Sequence, residues 1–161
     1  MKKSIFLLLA LCLNISAFCN DGIEPNAFQS RYLKAKELYE QERYGPAKKV
    51  FEQLLSNFND GYNLLELNTL SRYYIALCNY ALKDKNTSNV IDDFLRDYPD
   101  HKLSEKLRFT KGKYKFDRKK YRASIQLFSM VDEKQLNNEE LLELHFKRGY
   151  AHFYFKEFQN A

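Results

Sequence analysis

The 161-residue chain has no tryptophan, five glycines and three prolines. An architecture of many hairpins needs glycine or proline at most of its tight reversals, and the stretch 64–83 contains neither. Helices are the economical reading. Of the three cysteines, Cys12, Cys19 and Cys78, only Cys78 lies beyond the first twenty residues. No disulfide can therefore form within the domain that follows, and its stability must come from packing. Three histidines, His101, His145 and His152, are all that could act as acid or base near neutral pH. There is no GxxxxGK phosphate loop, no GxSxG elbow and no HExxH helix. What is abundant is aromatic: 12 tyrosines and 13 phenylalanines in a chain that is 45% hydrophobic, a globular composition.

The first twenty residues read MKKSIFLLLALCLNISAFCN: two lysines, an apolar run from Ile5 to Leu13, then small and polar residues. This is the pattern of a secretory signal peptide over residues 1–19, with cleavage after Ala17 or after Cys19, and the run is too short to span a membrane. Export to the periplasm is the expectation. Cys19 offers a second reading, a lipid-anchored outer-membrane protein, against which Phe18 occupies a position that such processing wants small. Without Lys2 and Lys3 the chain carries 24 cations against 21 acids, too mild an excess to imply a nucleic-acid partner.

Residues 20–161 read as repeats. In AKELYEQERYGPAKKVFEQLLSNF, Tyr44, Ala47, Phe51 and Leu54 share one helical face; in KGKYKFDRKKYRASIQLFSMV, Tyr121, Ser124, Phe128 and Val131 fall at the same gaps. A weaker copy carries Asp84, Thr87, Ile91 and Phe94, and GYAHFYFKEFQNA starts a fourth, in which Gly149 matches Gly112, Phe158 matches Tyr121 and Ala161 matches Ser124. The small or polar positions Ala47, Thr87, Ser124 and Ala161 recur every 37 to 40 residues. Units at about 27–60, 64–99, 102–135 and 139–161 result. Each reads as helix, tight turn, helix: first helices over 27–42, 64–83, 102–118 and 139–156, second helices over 45–58, 86–98 and 121–132. Asp60–Gly61 and Pro99–Asp100 punctuate the units, and Asn138 before Glu139 and Glu140 reads as a helix start.

Ala35, Leu38, Tyr44, Ala47, Phe51 and Leu54, with Gly112, Phe116, Tyr121, Ser124 and Phe128, resemble the tetratricopeptide repeat. The resemblance covers residues 27–161, lacks the first-helix tryptophan, keeps one terminal proline, Pro99, and has a period longer than the family's usual 34 residues. With a signal peptide in front, the chain is similar to the N-terminal part of large exported envelope proteins of this family. The resemblance implies an all-α, right-handed superhelical stack of helix-turn-helix hairpins whose first helices line a concave groove. The family's groove register falls on Tyr32, Lys36 and Tyr39; Arg72, Ala76 and Tyr80; Phe109, Lys113 and Phe116; and Phe146, Tyr150, Phe153 and Tyr154. Half of these aromatics packed between helices is the competing reading of the same residues.

The expected function is a noncatalytic periplasmic scaffold that binds a protein or peptide in that groove, through aromatic burial and hydrogen bonds from its cations to acidic groups. No cofactor, metal or nucleic-acid partner is expected. The alternatives are a glycan-binding outer-membrane surface protein and the sensory segment of a longer signalling protein. His145 and His152 are seven residues apart, about 10 Å along a helix, which is too far for one metal ion. Cys78 reads as core, and the tract 111–122, with seven cations, reads as a solvated face in which Lys111, Lys115, Arg118 and Arg122 form one stripe, with an anionic partner or membrane head groups, in peripheral association with the outer membrane, as the alternative. The fourth unit, with a turn expected at Lys156 and Glu157, has no second helix to cover Phe146 and Phe153. The reading therefore expects a longer array, with the last helix frayed or held by another molecule.

Overall fold

The computed structural model describes residues 25–56 and 65–159. They form seven α-helices: α1 (Pro25–Glu40), α2 (Tyr44–Ser56), α3 (Leu65–Ala81), α4 (Thr87–Asp97), α5 (Lys102–Asp117), α6 (Tyr121–Ser129) and α7 (Asn138–Gln159), with a 3₁₀ turn at Glu133–Gln135 before α7. No strand occurs among the described residues, and the fold is all-α. The leader at 1–19, the break at Asp60–Gly61 and Ala161 lie outside them.

Each helix packs against the next in chain order, and α1, α3, α5 and α7 also pack against one another in succession. The first helices of the hairpins thus make one continuous layer, with α2, α4 and α6 each wedged against the two first helices that flank it.

The three hairpin turns close in the same way. The N–H groups of Glu42, Lys83 and Lys119 donate to the carbonyls of Tyr39, Tyr80 and Phe116, and the next N–H in each case reaches back five residues, to Leu38, Asn79 and Lys115, all at 2.8–3.0 Å. This paired bond satisfies the last carbonyls of a helix and requires one residue in the left-handed region. Glu42, Lys83 and Lys119 occupy it, with φ of 59°, 56° and 58°. None is glycine, so each turn carries a conformational cost of about 1 kcal/mol that packing must offset.

These turns fix the equivalence of the units. Seven residues before each left-handed residue stand Ala35, Ala76 and Gly112, all buried. On the second helices Ala47, Thr87 and Ser124 are wholly buried, followed at four and seven residues by Phe51 and Leu54, Ile91 and Phe94, and Phe128 and, two residues past the end of α6, Val131, also buried. Burial settles the register of the weak second copy as Thr87, Ile91 and Phe94. Its turn is one residue shorter: four residues separate Lys83 from Thr87, where five separate Glu42 from Ala47 and Lys119 from Ser124, and the Thr87 N–H bonds Asp84, three residues back instead of four.

Small residues permit close crossing. The Ser124 hydroxyl donates to the Gly112 carbonyl at 3.0 Å, and a Cβ on Gly112 would stand 2.5 Å from the Phe128 ring. Around these contacts the aromatics repeat in space. Tyr32 meets Phe51 and Phe109 meets Phe128 with ring centroids 5.9 Å apart in both units; Tyr39 meets Tyr44 and Phe116 meets Tyr121 at 5.4 Å in both. The fully buried rings among them, Phe51, Phe109 and Phe128, each contribute roughly 1.5–3 kcal/mol by removal from water.

Helix ends lie within two residues of the sequence expectation except at α6, which stops at Ser129 where 132 was expected, and at the end of α7; the cap of α7 also differs. The cap of α7 is Asn137, one residue early: its Oδ1 accepts from the Glu140 N–H and its own N–H donates to Glu140 Oε2, both at 2.9 Å, a reciprocal capping box. At the other end α7 continues through Lys156 and Glu157 to Gln159, where a turn was expected. Lys-Glu-Phe-Gln contains no helix breaker, and propagating a helix costs little.

Candidate partner-binding surface

Between α3, α5 and α7 the charged side chains pair in a ladder. Tyr80 donates to Asp117 Oδ2 at 2.9 Å, Lys147 reaches Asp117 Oδ1 at 3.4 Å and Glu143 at 3.6 Å, Lys113 reaches Glu143 at 3.1 Å, and Lys106 reaches Glu140 at 3.4 Å. The ammonium groups also lie over rings, Lys113 over Phe109 at 4.8 Å and Tyr80 at 5.3 Å, Lys147 over Phe116 at 4.5 Å. A second knot ties the first hairpin to the second: Lys48 donates to buried Asn79 at 2.6 Å and to Asp84 at 3.3 Å. The Asp84 carboxyl is held below its ordinary range by the Asn86 backbone N–H and by Lys48. These contacts position neighbouring units relative to one another.

The residues assigned to the groove divide accordingly. Tyr32 and Phe109 are core, 7% and 2% exposed, as is Ala76, and their positions face α2, α6 and α4. Tyr39 is half-buried against Tyr44 and Tyr74, and burial pushes its hydroxyl up to about 12. Lys36 pairs with Glu40 at 3.4 Å, and Arg72 with Asp97 at 3.3 Å and Asn68 at 2.9 Å. Tyr80, Lys113 and Phe116 sit in the ladder. The cations expected to capture acidic groups of a partner therefore already have carboxylate partners of their own. Sequence reasoning missed Asp117, Glu140 and Glu143, whose places are visible only once the first helices are set side by side.

The basic tract is not a uniform solvated face. Lys111 is largely covered and paired with Asp92, Arg118 stacks on Tyr114 at 4.5 Å and donates to the Lys83 carbonyl, and Lys115 is held below its ordinary range by burial. Lys119, Lys120 and Arg122 are exposed, edging an open cleft of about 570 Å³ between α6 and the end of α7. His101 caps α5 by accepting from the Leu103 N–H at 3.2 Å, and His145 lies 3.4 Å from Glu133. Among the described residues no three His, Cys, Asp or Glu side chains converge as a metal site requires. Cys78 is wholly buried, and desolvation pushes its thiol up to about 12, far from the thiolate a nucleophile needs.

The remaining groove residues lie on α7, and here the surface is open. Leu142, Phe146, Tyr150 and Phe153 are 72%, 68%, 45% and 60% exposed. Leu142, Phe146, Gly149 and Phe153 follow the helical spacing of four, three and four, one continuous stripe. On its opposite side Leu144 and Ala151 are buried, and Tyr150 and Tyr154 turn toward the third unit, where they meet Tyr121 at 6.0 and 4.5 Å. Comparison of the chain with family models, curated proteins and solved structures finds no match in any of the three. The functional reading accordingly stands on the geometry.

Proposed function

We propose that this chain is a noncatalytic, exported scaffold of tetratricopeptide type, its hairpins stacked in a right-handed superhelix in the periplasm, whose task is to bind another protein. The observation that carries the reading is the contrast along the first-helix layer. Positions that are buried or half-buried in α1, α3 and α5 recur in α7 as a row of exposed apolar side chains, Leu142, Phe146 and Phe153. A contiguous exposed apolar row of this kind marks an interaction surface, and aromatic anchors are what protein interfaces use most. Recognition then rests on apolar contact with α7 more than on anion capture by Lys36, Arg72 or Lys113, whose charges are taken. Catalysis has little to work with, since Cys78 is sealed, His101 caps α5 and His145 pairs with Glu133.

The test is recovery of partners from envelope extract by the wild-type chain and by the double variant Phe146→Ser, Phe153→Ser, both first checked for helicity. Loss of a partner with the variant supports the reading. Identical recovery by both proteins would sink it.

A further inference from the structure

The three hairpin turns share one backbone and differ in charge. Glu42, Lys83 and Lys119 hold the left-handed position. Gln41, Leu82 and Arg118 precede it, and the last two turns add Lys85, Lys115 and Lys120. Those two turns also lie against each other: Arg118 donates to the Lys83 carbonyl at 3.4 Å, and the Tyr114 hydroxyl to the Lys85 carbonyl at 3.2 Å. Two basic loops thus meet at one edge of the molecule. Along the helices cations pair with carboxylates, as Lys48, Arg72, Lys113 and Lys147 do. Among the described residues none of Lys83, Lys85, Lys115, Arg118, Lys119 and Lys120 has a carboxylate within ion-pair distance. The acids nearby are engaged, Asp84 by Lys48 and the Asn86 N–H, Asp117 by Tyr80 and Lys147. Crowding of like charge is felt at Lys115, which burial and the neighbouring Lys111, Lys120 and Arg118 hold below its ordinary range.

Between these turns lies a cavity of about 380 Å³ lined by Tyr80, Lys83, Tyr114, Asp117 and Arg118, and small-molecule sites measure about 300–1,000 Å³. Tyr114 is buried, with the Arg118 guanidinium 4.5 Å over its ring, and Tyr80 turns its hydroxyl to Asp117. The guanidinium keeps further N–H donors beyond the one on the Lys83 carbonyl, and the Lys83 ammonium has no acceptor among the described residues. Ring surface and free cationic donors therefore stand together. The architecture alone does not produce this. One unit earlier the same positions, counted from Glu42 and Lys83, are Tyr39, Glu42, Cys78, Ala81 and Leu82, which include no cation. We propose that the cavity binds a phosphate monoester, its head held by Lys83 and Arg118 and its organic body against Tyr80 and Tyr114. Two cations at the cavity and four more on the same turns favour a doubly charged head over a single carboxylate, and guanidinium matches phosphate in geometry. The repulsion from Asp117 is offset by the Tyr80 O–H and the Lys147 ammonium it accepts from. This site stands independently of the scaffold reading and of α7's exposed face.

The probe is phenyl phosphate, a dianion at about pH 8 with an aromatic body, titrated into the full chain by isothermal calorimetry at low salt. One saturable site is expected, weakened about tenfold or more by Arg118→Gln and by Lys83→Gly. Lys83→Gly keeps the carbonyl that Arg118 uses and relieves a left-handed side chain, so its lost binding is not lost folding. The control is Lys134→Gln, which removes an exposed cation beside the start of α5, roughly 20 Å from Arg118 by helical rise, and it should leave the site unchanged. A second arm follows cosedimentation with phosphatidylcholine vesicles containing roughly one-fifth phosphatidic acid. Vesicle binding that phenyl phosphate displaces assigns the head to a lipid, and a calorimetric site without such displacement assigns it to a soluble organophosphate. No calorimetric site overturns the proposal. So does a site that Arg118→Gln and Lys83→Gly leave unchanged, or that Lys134→Gln weakens as much as they do.

Discussion

Replacing Gly112 and Gly149 by alanine, one at a time, should change stability in opposite directions although the two glycines hold equivalent places in successive first helices. In a helix interior glycine is about 0.8–1 kcal/mol less favourable than alanine, so the backbone term stabilises both variants alike. Tertiary packing separates them. The new Cβ at position 112 would meet the Phe128 ring at 2.5 Å, roughly 1 Å inside ordinary carbon contact. Phe128 is wholly buried against Phe109, Val131 and Leu144, and has nowhere free to retreat. Overpacking of this kind costs about 1–3 kcal/mol, which leaves Gly112→Ala neutral to about 2 kcal/mol destabilised. Gly149→Ala meets no such neighbour and should gain up to about 1 kcal/mol. Urea and thermal unfolding followed by circular dichroism measure both; at roughly 2–4 °C per kcal/mol for a chain of this size, the two midpoints should differ by several degrees. Equal shifts of the same sign would refute the close crossing of α5 and α6.

Lys83→Gly, and likewise Glu42→Gly and Lys119→Gly, should raise stability by a few tenths to about 1 kcal/mol, because each removes a left-handed side-chain clash at the price of some unfolded-state entropy; loss of stability in chemical denaturation would refute the turn assignment. Cys78 should resist a thiol reagent at pH 8 in the folded chain and react at once in denaturant; fast native labelling would contradict its burial. Asp84 is more acidic in the folded than in the unfolded state, so its contribution is present above its ordinary value near 3.8 and is lost as pH falls through the lower folded value. Asp84→Asn should therefore flatten the decline of stability below about pH 4, and an unchanged acid slope would show that the contact with Lys48 carries no linkage.

The repeat was legible because its chemistry is local. The gaps of three and four from Tyr44 to Leu54 and from Tyr121 to Val131 placed α2 and α6, and the 37-residue recurrence placed Gly149 opposite Gly112 before any contact was seen. Cap geometry was less legible, since Asn137 and Asn138 are chemically alike and the choice depends on which one lies three residues before a usable glutamate. The groove assignment failed for Tyr32 and Phe109 because a resemblance transfers positions without saying which of two adjacent helical faces the second helix covers. It overlooked the charge ladder for a different reason: Lys113 with Glu143, and Tyr80 with Asp117, are 30 and 37 residues apart, and such pairs exist only after stacking. What the sequence did carry was the equivalence of Phe146 and Phe153 with Phe109 and Phe116, one period of 37 residues earlier.

The central claim is tested most directly by placing a photoreactive phenylalanine analogue at Phe153, or at exposed Leu33 on α1 as the control, and irradiating intact cells that express the chain. The account predicts a discrete crosslinked species from position 153, absent from position 33 and lost when Gly149→Gln is added. No crosslink from 153, or the same products from both positions, would contradict it.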